Sequence, residues 1–422
     1  MWADLEPVGR DRRTGGYRRF AWTAEDAELR AWFTDQARRR GLDVTGDRAG
    51  NLWAWWGDPD AAADAGRPGV VLGSHLDSVP DGGAFDGPLG VLSAFAALDR
   101  LRSDGWTPDR PVAVACFADE EGARFGVACA GSRVLTGALH PDRARGLTDA
   151  DGTTWAQAAA AHGVDVAALG RDEQALRRVG VFVELHVEQG RHLADLDDAP
   201  VGVAGAIWPH GRWRFDLPGR ADHAGTTRLA DRDDPMLRLA AAVTTARAAA
   251  ERHAALATVA RVRVEPNGVN AIPSAVTAWL DARGPDADAV RRVVADVASA
   301  AGAGPVEESW TPPTTFPVRL RDELAAVVGR THGDGRPAPV LATGAGHDAG
   351  ILAAAGVPAA MLFVRNPTGV SHSPAEHAEP QDCRAGVQAL AAVLRHLAGD
   401  SHLVGDSHAA GQRGRPDDGG AR

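Results

Sequence analysis

The chain has 422 residues and a formal net charge of −11, from 45 basic and 56 acidic residues. With 44% hydrophobic and 24% charged residues it has a globular composition, and its length favours two or three domains with a large core. The longest basic run is Arg38–Arg40, so no nucleic-acid-binding or anionic-membrane surface is expected.

Individual residue types narrow the chemistry further. The chain contains no lysine, which excludes a Walker phosphate loop and Schiff-base or pyridoxal-phosphate chemistry. The longest apolar stretches, such as 201–207, are too short to cross a membrane, and residues 1–16 lack the apolar core of a secretory signal. The three cysteines form no disulfide or zinc-finger pattern, and Cys129 and Cys383 show no catalytic context. We therefore expect a soluble, cytoplasmic protein.

Predicted helices and strands alternate over the first half of the chain. Apolar residues at helical spacing predict a helix over 23–41, which ends at a glycine. Short apolar runs predict buried strands over 69–74, 111–118 and 180–187, and a second helix is predicted over 89–102. This alternation favours a mostly parallel sheet that helices cover on both faces.

The pattern changes after residue 209. The order becomes strand, helix, strand, strand, helix, which favours a small antiparallel sheet with helices on one face. These elements are predicted at 212–218, 233–252, 261–267, 275–283 and 285–302. Strand–helix alternation resumes over 320–399, with a buried strand at 362–364.

These patterns define the predicted domains. Residues 1–210 and 320–400 form an α/β catalytic domain with a mostly parallel sheet, and an inserted α+β domain of one antiparallel sheet and two helices covers 211–319. The last segment, 401–422, is rich in Gly, Asp, Ser and Arg and is predicted to be disordered.

Histidine and carboxylate side chains gather where predicted strands end. In open parallel sheets ligands bind at the carboxyl ends of the strands. One such side chain alone is more often an ordinary core or turn residue, but several together favour a shared ligand. Asp86 joins them from a glycine-rich loop, where backbone can approach a bound group closely. The strand-end residues are His75 and Asp77; Asp119, Glu120 and Glu121; Glu184, His186 and Glu188; and Ser371 and His372.

The residue types in this set predict a metal site. An apolar strand that runs directly into Glu120 and Glu121 needs a partner for its buried carboxylates, and a metal ion supplies one. Imidazole and carboxylate ligands without a thiolate suit Zn²⁺ or Mn²⁺ and not an iron–sulfur cluster. His, Asp, Glu, His and His are too many for one catalytic zinc ion, so they suit two ions that share a carboxylate. One glutamate of the pair can then ligate while the other acts as general base.

Seven segments in order along the chain resemble the hydantoinase/carbamoylase family of di-metal amidohydrolases, which is related to aminoacylases and carboxypeptidases. The resemblance covers about 9–400 and implies the fold and the activity of that family. The segments are GSHLDSVPDGGAFDGPLGV (73–91), FADEEGARFG (117–126), LHVEQG (185–190), DHAGTT (222–227), NAIPSAVTAWLDAR (270–283), GAGHDA (344–349) and GVSHSPAE (369–376).

The resemblance implies a specific ligand set. His75 and His186 would hold one divalent ion, Glu121 and His372 the other, and Asp86 would bridge the two. The two ions would be Zn²⁺ or Mn²⁺, with Co²⁺ or Ni²⁺ as further options.

The resemblance also implies the catalytic residues. Glu120 would be the general base that activates water and then protonates the leaving nitrogen. Asp77 would lie behind His75 and fix its tautomer, with a strand-end cap as the alternative. His223 would stabilise the oxyanion across a dimer interface, with a turn-stabilising histidine as the alternative. The inserted domain would then be a dimerisation and lid domain, and the protein a homodimer.

The expected substrate contacts come from both predicted domains. Arg283 would clamp a substrate carboxylate with its guanidinium fork, and Asn270 would bond the ureido or carboxylate end. Gln189 is a further candidate. In relatives, the residues that correspond to Gly346 and His347 lie beside the site. The alternative for His347 is that it contacts the metal ligands instead of the substrate.

The expected reaction is hydrolysis of a carbamoyl or ureido C–N bond in a small carboxylate, with ammonia and carbon dioxide as products. Allantoate is the first predicted substrate and N-carbamoyl-L-amino acids are the second. Position 210 departs from the pattern expected of allantoate enzymes, because this chain has His210 where those enzymes are expected to carry an amide side chain. An aminoacylase or peptidase and a non-catalytic binding relative are the remaining alternatives.

Overall fold

The computed structural model describes residues 1–196, 198–332 and 335–399. The predicted disordered tail over 401–422 lies outside these residues. The chain forms two compact units. The first, unit 1, contains Met1–Ala204, Phe316–Val340 and the described residues from His347 onward; the second, unit 2, contains Gly205–Thr315 and Leu341–Gly346.

The elements are numbered along the chain. The helices are α1 (Trp2–Leu5), α2 (Ala24–Arg39), α3 (Pro59–Asp64), α4 (Pro88–Ser103), α5 (Ala130–Thr136), α6 (Pro141–Gly146), α7 (Trp155–Ala161), α8 (Glu173–Arg177), α9 (Pro235–His253), α10 (Ala287–Ala301), α11 (Val318–Gly329), α12 (Asp348–Ala354) and α13 (Pro380–Gly399), with a short 3₁₀ turn at Leu229–Asp231. The strands are β1 (Asp43–Gly46), β2 (Leu52–Trp56), β3 (Gly69–His75), β4 (Val112–Phe117), β5 (Val179–Val187), β6 (Val201–Ile207), β7 (His210–Pro218), β8 (Asp222–His223), β9 (Leu256–Glu265), β10 (Ala271–Ile272), β11 (Ala275–Arg283), β12 (Val306–Thr311), β13 (Thr314–Thr315), β14 (Val340–Thr343) and β15 (Ala359–Val364).

Unit 1 is built on a mixed sheet with a parallel centre. Its strands run in the order β1-β2-β4-β3-β5-β15-β6. β4, β3, β5 and β15 are parallel to one another, whereas β1, β2 and β6 pair antiparallel at the two sides. Every residue of the four central strands is buried, which is why they appear in the sequence as continuous apolar runs. The predicted α/β class is confirmed.

Helix α4 lies close against the centre of this sheet. Pro88 begins the helix, where the absence of a backbone N–H costs nothing. The helix buries most of its residues between Pro88 and Leu101. A side chain at Gly90 would place its Cβ 2.2 Å from the carbonyl oxygen of Leu185 and 2.7 Å from Cβ of Ser74. The close approach of α4 to β3 and β5 therefore depends on this glycine.

Unit 2 contains the predicted antiparallel sheet. Its strands run in the order β12-β7-β11-β9, and all three pairings are antiparallel. Leu280, Val290 and Val293 are among the residues of the core between this sheet and helices α9 and α10. β12 was not predicted, and β9 begins at Leu256, earlier than the predicted start at residue 261. Most residues of both strands are exposed, so the apolar signal for a strand is weak in β12 and in the first half of β9.

Within the residues that the structure describes, no helix combines the length and the apolar character required to span a bilayer. The cytoplasmic location stays a prediction, as do the roles assigned to the two predicted domains.

Candidate active site

The sheet of unit 1 brings the strand-end residues to one edge. His75 is the last residue of β3, and His186 is the penultimate residue of the parallel neighbour β5. The rings of these two histidines stack with centroids 5.8 Å apart. Asp86 comes from the loop between β3 and α4, and His372 comes from the loop after β15. The predicted convergence of these four residues is present in the fold.

Each carboxylate oxygen of Asp86 lies close to a different set of potential ligand atoms. Oδ1 lies 3.6 Å from Nε2 of His75 and 3.2 Å from Nε2 of His186. Oδ2 lies 3.5 Å from Nε2 of His372, and that nitrogen lies 3.6 Å from Oε2 of Glu121. Two triads that share Asp86 result: the histidine triad of His75, Asp86 and His186, and the loop triad of Asp86, Glu121 and His372.

The donor atoms of both triads fit divalent metal ions. Ligand atoms around a tetrahedral zinc ion lie about 3.4 Å apart when each bond is about 2.1 Å long, and the distances here are 3.2–3.6 Å. Among the described residues, no hydrogen bond satisfies Nε2 of His75, Nε2 of His186 or Oε1 of Glu121, although all three atoms are buried. Buried polar atoms without partners are costly. Cations bound in the two triads would satisfy all three.

The opposite ring nitrogens explain why Nε2 faces the site. Nδ1 of His75 lies 3.1 Å from the main-chain oxygen of Asp77, and Nδ1 of His186 lies 2.9 Å from that of Val187. A carbonyl oxygen only accepts, so each Nδ1 carries the hydrogen. In the neutral ring Nε2 then presents its lone pair to the site, as ligation requires.

Asp77 contacts the glutamate pair more closely than it contacts His75. Its carboxylate accepts the N–H groups of Glu120 at 3.2 Å and Glu121 at 3.0 Å. Oδ1 lies 3.5 Å from Nδ1 of His75, so the main-chain oxygen of Asp77 is the nearer acceptor for that ring. Asp77 thus joins the end of β3 to the segment after β4.

The chain bends sharply before the glutamate pair. Asp119 has a φ of +55°, a left-handed conformation that is uncommon outside glycine. Neighbouring residues of an extended strand face opposite sides, whereas this bend turns both glutamates toward the site. Oε2 of Glu120 lies 3.6 Å from Nε2 of His75, and Glu121 belongs to the loop triad.

Cys129, for which no catalytic context was expected, contacts the predicted general base Glu120. Its Sγ lies 3.4 Å from Oε1 of Glu120, and its N–H donates to the main-chain oxygen of Glu120 at 2.5 Å. Burial raises the pKa of the Cys129 thiol well above its usual value, so the thiol stays protonated and donates its hydrogen to the carboxylate. The sequence carries no signal for this contact, because Cys129 follows Glu120 by nine positions.

Burial and charge separate the pKa values of the carboxyl groups. Burial, reinforced by neighbouring carboxylates, raises the pKa of Glu120 and of Glu121 well above the ordinary value. Burial also acts to raise the pKa of Asp86, but the nearby histidines, His186 foremost, outweigh it and hold that pKa well below the ordinary value. Asp86 is therefore a permanent anion at the centre of the two triads.

Two further predicted residues of unit 1 lie beside the triads. Nε2 of Gln189 donates to Oδ2 of Asp86 at 2.9 Å, so this side chain is bound to the shared carboxylate. His347 precedes α12, is buried, and packs its ring 4.5 Å from that of His186.

Unit 2 brings three other predicted residues together. His210 and Arg283 are directly opposed partners on β7 and β11. The guanidinium of Arg283 donates to Asp281 through Nε at 2.8 Å and to the main-chain oxygen of Gly344 through Nη1 at 2.9 Å. A Cβ at Gly346 would lie 3.1 Å from Nε2 of His210. This part of unit 2 forms a polar group of Arg283, His210 and the 344–346 backbone.

His223 and Asn270 lie on a short ribbon of unit 2, in which β8 pairs with β10. Both residues are exposed. The N–H of Ala224 donates to the main-chain oxygen of Asn270 at 2.9 Å, and the N–H of Gly225 donates to Nδ1 of His223 at 3.0 Å. The turn that follows β8 therefore orients the ring of His223 through Nδ1.

Comparison with known proteins identifies the family. The chain belongs to Peptidase family M20/M25/M40, whose profile matches residues 71–396. It is 35% identical to the N-carbamoyl-L-amino acid amidohydrolase of Geobacillus stearothermophilus, over 94% of this chain and 98% of the relative. It is 31% identical to the allantoate amidohydrolase of Escherichia coli, over 91% of this chain and 93% of the relative.

Solved structures support the same family. An amidase of the hydantoinase/carbamoylase family from Burkholderia vietnamiensis superposes with a TM-score of 0.84 and 29% sequence identity, over 94% of this chain and 96% of that one. The predicted family resemblance is confirmed, and so is the predicted enzyme class, a hydrolase of the amidohydrolase type. Enzymes of the family depend on metal ions, and the two triads supply groups that could bind them.

Proposed function

We propose that this protein is a di-metal amidohydrolase that cleaves a carbamoyl or ureido C–N bond in a small carboxylate. The proposal rests on the position of Asp86. Its two carboxylate oxygens face separate triads of potential ligand atoms beside Glu120. The ligands are those predicted from the sequence: His75 and His186 on one side of Asp86, and Glu121 and His372 on the other.

Two divalent ions in these triads would polarise the substrate carbonyl and lower the pKa of a water molecule. Glu120 takes the proton from the attacking water and delivers it to the leaving nitrogen. The thiol of Cys129 and the nearby Nε2 of His75 border its carboxylate. Asp77 sets the backbone of Glu120, and the partner subunit's His223 donates a hydrogen bond to the oxyanion.

The polar group of unit 2 supports an anionic substrate. The guanidinium fork of Arg283 matches a carboxylate. In the structure Nε and Nη2 pair with Asp281, so a substrate carboxylate would take the place of Asp281. Asn270 is proposed to bind the ureido or carboxylate end of the substrate, and Gln189, Gly346 and His347 complete the proposed contacts. Because His210 is the cross-strand partner of Arg283, an imidazole would stand next to the substrate at the carboxylate end.

We propose allantoate as the substrate. It carries a second ureido group, and the imidazole of His210 would have to replace the hydrogen bond of the amide side chain expected at this position in allantoate enzymes. N-carbamoyl-L-amino acids are the alternative, because the relative with that name is similar at a comparable level of identity. The ions are proposed to be Zn²⁺ or Mn²⁺.

We also propose a homodimer formed through unit 2. β9 is an edge strand, and an unpaired edge can accept a second strand. Exposed apolar side chains lie on β9 and on the adjacent helix α9. Leu256 on β9 is 58% exposed, and Leu237 on α9 is 71% exposed. A second copy of the chain that covers these side chains would also supply the partner subunit's His223 to the site.

The test is ammonia release by protein loaded with Mn²⁺ or Zn²⁺. Allantoate and a panel of N-carbamoyl-L-amino acids are the substrates, and acetyl-amino acids and dipeptides test the peptidase alternative. Glu120→Gln should abolish turnover while metal binding remains, and Glu379→Gln, which changes a half-buried carboxylate beyond the triads, is the matched control. Turnover of carbamoyl amino acids alone would leave the mechanism standing but reject allantoate. An inactive, metal-free protein under metal-replete conditions would reject the proposal.

A further inference from the structure

A carboxylate outside the two triads joins the loops that carry them. Glu376 follows His372 by four positions and is only 6% exposed. Its Oε1 accepts the N–H groups of Phe85 at 2.8 Å and Asp86 at 2.9 Å. Its Oε2 accepts the hydroxyl of Ser371 at 3.2 Å. One side chain therefore binds the Asp86 loop and the His372 loop at once, across 290 positions of sequence.

The same contacts orient the carboxylate of Asp86. The Ser371 hydroxyl also lies 3.1 Å from Oδ2 of Asp86, and Nε2 of Gln189 lies 2.9 Å from that oxygen. The backbone of Asp86 is thus held by Glu376, while its side chain is held by Ser371 and Gln189. The Ser371 hydroxyl lies between the two carboxylates. A shift of Glu376 would therefore move Asp86 both through its backbone N–H and through Ser371.

The backbone leaves room for Glu376 at Gly83. A Cβ at this position would lie 2.4 Å from both Cβ and Oε1 of Glu376, closer than atoms can approach. Cβ of Glu376 belongs to the rigid base of the side chain, so it cannot turn away as a flexible end can. The absence of a side chain at Gly83 is therefore a condition for the contact between the two loops.

The two triads differ in how their members are supported. His75 and His186 of the histidine triad lie on β3 and β5, which pair directly in the sheet. In the loop triad, Asp86, Glu121 and His372 all lie outside helices and strands. The sheet fixes the first pair of ligands without further help. The loop triad needs side-chain contacts to fix the distance between Asp86 and His372.

We propose that Glu376 is a positioning residue for the metal ion of the loop triad. It fixes Asp86 relative to His372 and so controls the affinity of that ion, while the ion between His75 and His186 depends on it much less. This inference rests on the proposed di-metal function. It assigns Glu376 no contact with substrate or with the reacting atoms.

The experiment is a calorimetric titration of Zn²⁺ into the metal-free full chain, with thermal melts of the same metal-free samples. Wild type is expected to bind two ions. Glu376→Ala should retain one tight ion and weaken the second by about tenfold or more, the usual effect of removing a group that orients a metal ligand. Glu376→Gln should recover most of that affinity, because its amide oxygen can still accept both N–H groups. Glu379→Ala should match wild type.

Gly83→Ala provides an independent variant if Glu376→Ala does not fold. It displaces Glu376 from the opposite side and should weaken the same single ion. Two ions bound with wild-type affinity by Glu376→Ala or by Gly83→Ala would overturn the inference and leave the proposed function intact. Equal weakening of both ions would also overturn it. Failure of wild type to bind two ions would instead reject the proposed function.

Discussion

The imidazole rings of His75 and His186 illustrate how a neighbouring carbonyl selects a ligand atom. Each Nδ1 faces a main-chain oxygen, so each Nε2 faces Asp86. Burial acts to lower the pKa of both rings, but the surrounding carboxylates outweigh it and raise the pKa of each. In the metal-free protein these rings therefore hold protons more tightly than a free histidine does.

Metal binding is predicted to release protons. The pKa values of His75, His186, Glu120 and Glu121 are all raised in the metal-free protein, and a bound cation favours their unprotonated forms. Metal affinity should therefore rise with pH, by about tenfold per pH unit for each proton released. Calorimetry of Zn²⁺ binding in buffers of different ionisation enthalpy measures the proton count. Affinity that stays constant between pH 6 and 8 would contradict the prediction.

Arg283 is predicted to determine substrate affinity through its fork. Arg283→Met removes the bidentate pairing with the substrate carboxylate and should lower kcat/KM about hundredfold, mainly through KM, because a hydrogen bond to a charged group contributes about 1.5–3 kcal/mol. Arg283→Lys should recover only part of the loss, since it keeps the charge without the fork. Steady-state kinetics with the accepted substrate is the measurement. Arg214→Met on β7 is the control, and an equal loss there would show a general effect on the sheet.

Helix α4 shows how a single glycine decides the distance between a helix and a sheet. Gly90→Ala places a methyl group against Leu185 and Ser74, both buried. We expect a loss of about 2 kcal/mol in the free energy of unfolding, from overpacking, although alanine by itself favours a helix by about 1 kcal/mol.

Urea unfolding followed by tryptophan fluorescence checks this prediction. Gly146→Ala is the control, because Gly146 is also a helical glycine of unit 1, the last residue of α6, and no atom lies within 4 Å of the added Cβ. The control should be as stable as wild type or slightly more stable. If both variants unfold at the same urea concentration, α4 tolerates a wider spacing than these distances imply.

At the scale of the whole molecule, unit 2 is predicted to assemble two copies. Leu237→Asp introduces a charge into the exposed apolar face of α9 and should yield a monomer at concentrations where wild type is a dimer. Sedimentation equilibrium measures the difference. Val318→Asp alters an equally apolar but separate exposed side chain, 54% exposed on α11, and should leave the dimer intact. A wild-type protein that is monomeric and fully active would reject the assembly.

Mixing two inactive variants tests whether the partner subunit's His223 serves the site. Glu120→Gln lacks the base and His223→Ala lacks the oxyanion donor, so each alone should be inactive. After dissociation and reassociation of a 1:1 mixture, half of the dimers contain one intact combination. Activity should then return to about a quarter of the wild-type value. A mixture that remains inactive, although hybrid dimers form, would place His223 in the same subunit as its site.

Local patterns predicted the fold class well. The central strands of unit 1 are buried on both faces, so they appear as unbroken apolar runs, and the strand predicted over 275–283 coincides with β11. His75 and His186 were recognisable because polar side chains at the ends of such runs are unusual, whereas Asp86 was recognised from its glycine-rich loop. Exposed strands such as β12 carry no such signal, because solvent imposes no alternation on them.

What the amino-acid sequence determined by itself is the α/β class and the family, and it singled out the histidine and carboxylate side chains that converge in unit 1. Each depends on residues that are near in sequence or on motifs whose order is preserved. Only the tertiary structure decided how Asp86 divides its oxygens between two triads, that the thiol of Cys129 borders Glu120, and that Glu376 joins two loops. These contacts arise when segments up to 290 positions apart are brought within hydrogen-bonding distance, and local periodicity carries no information about such distances.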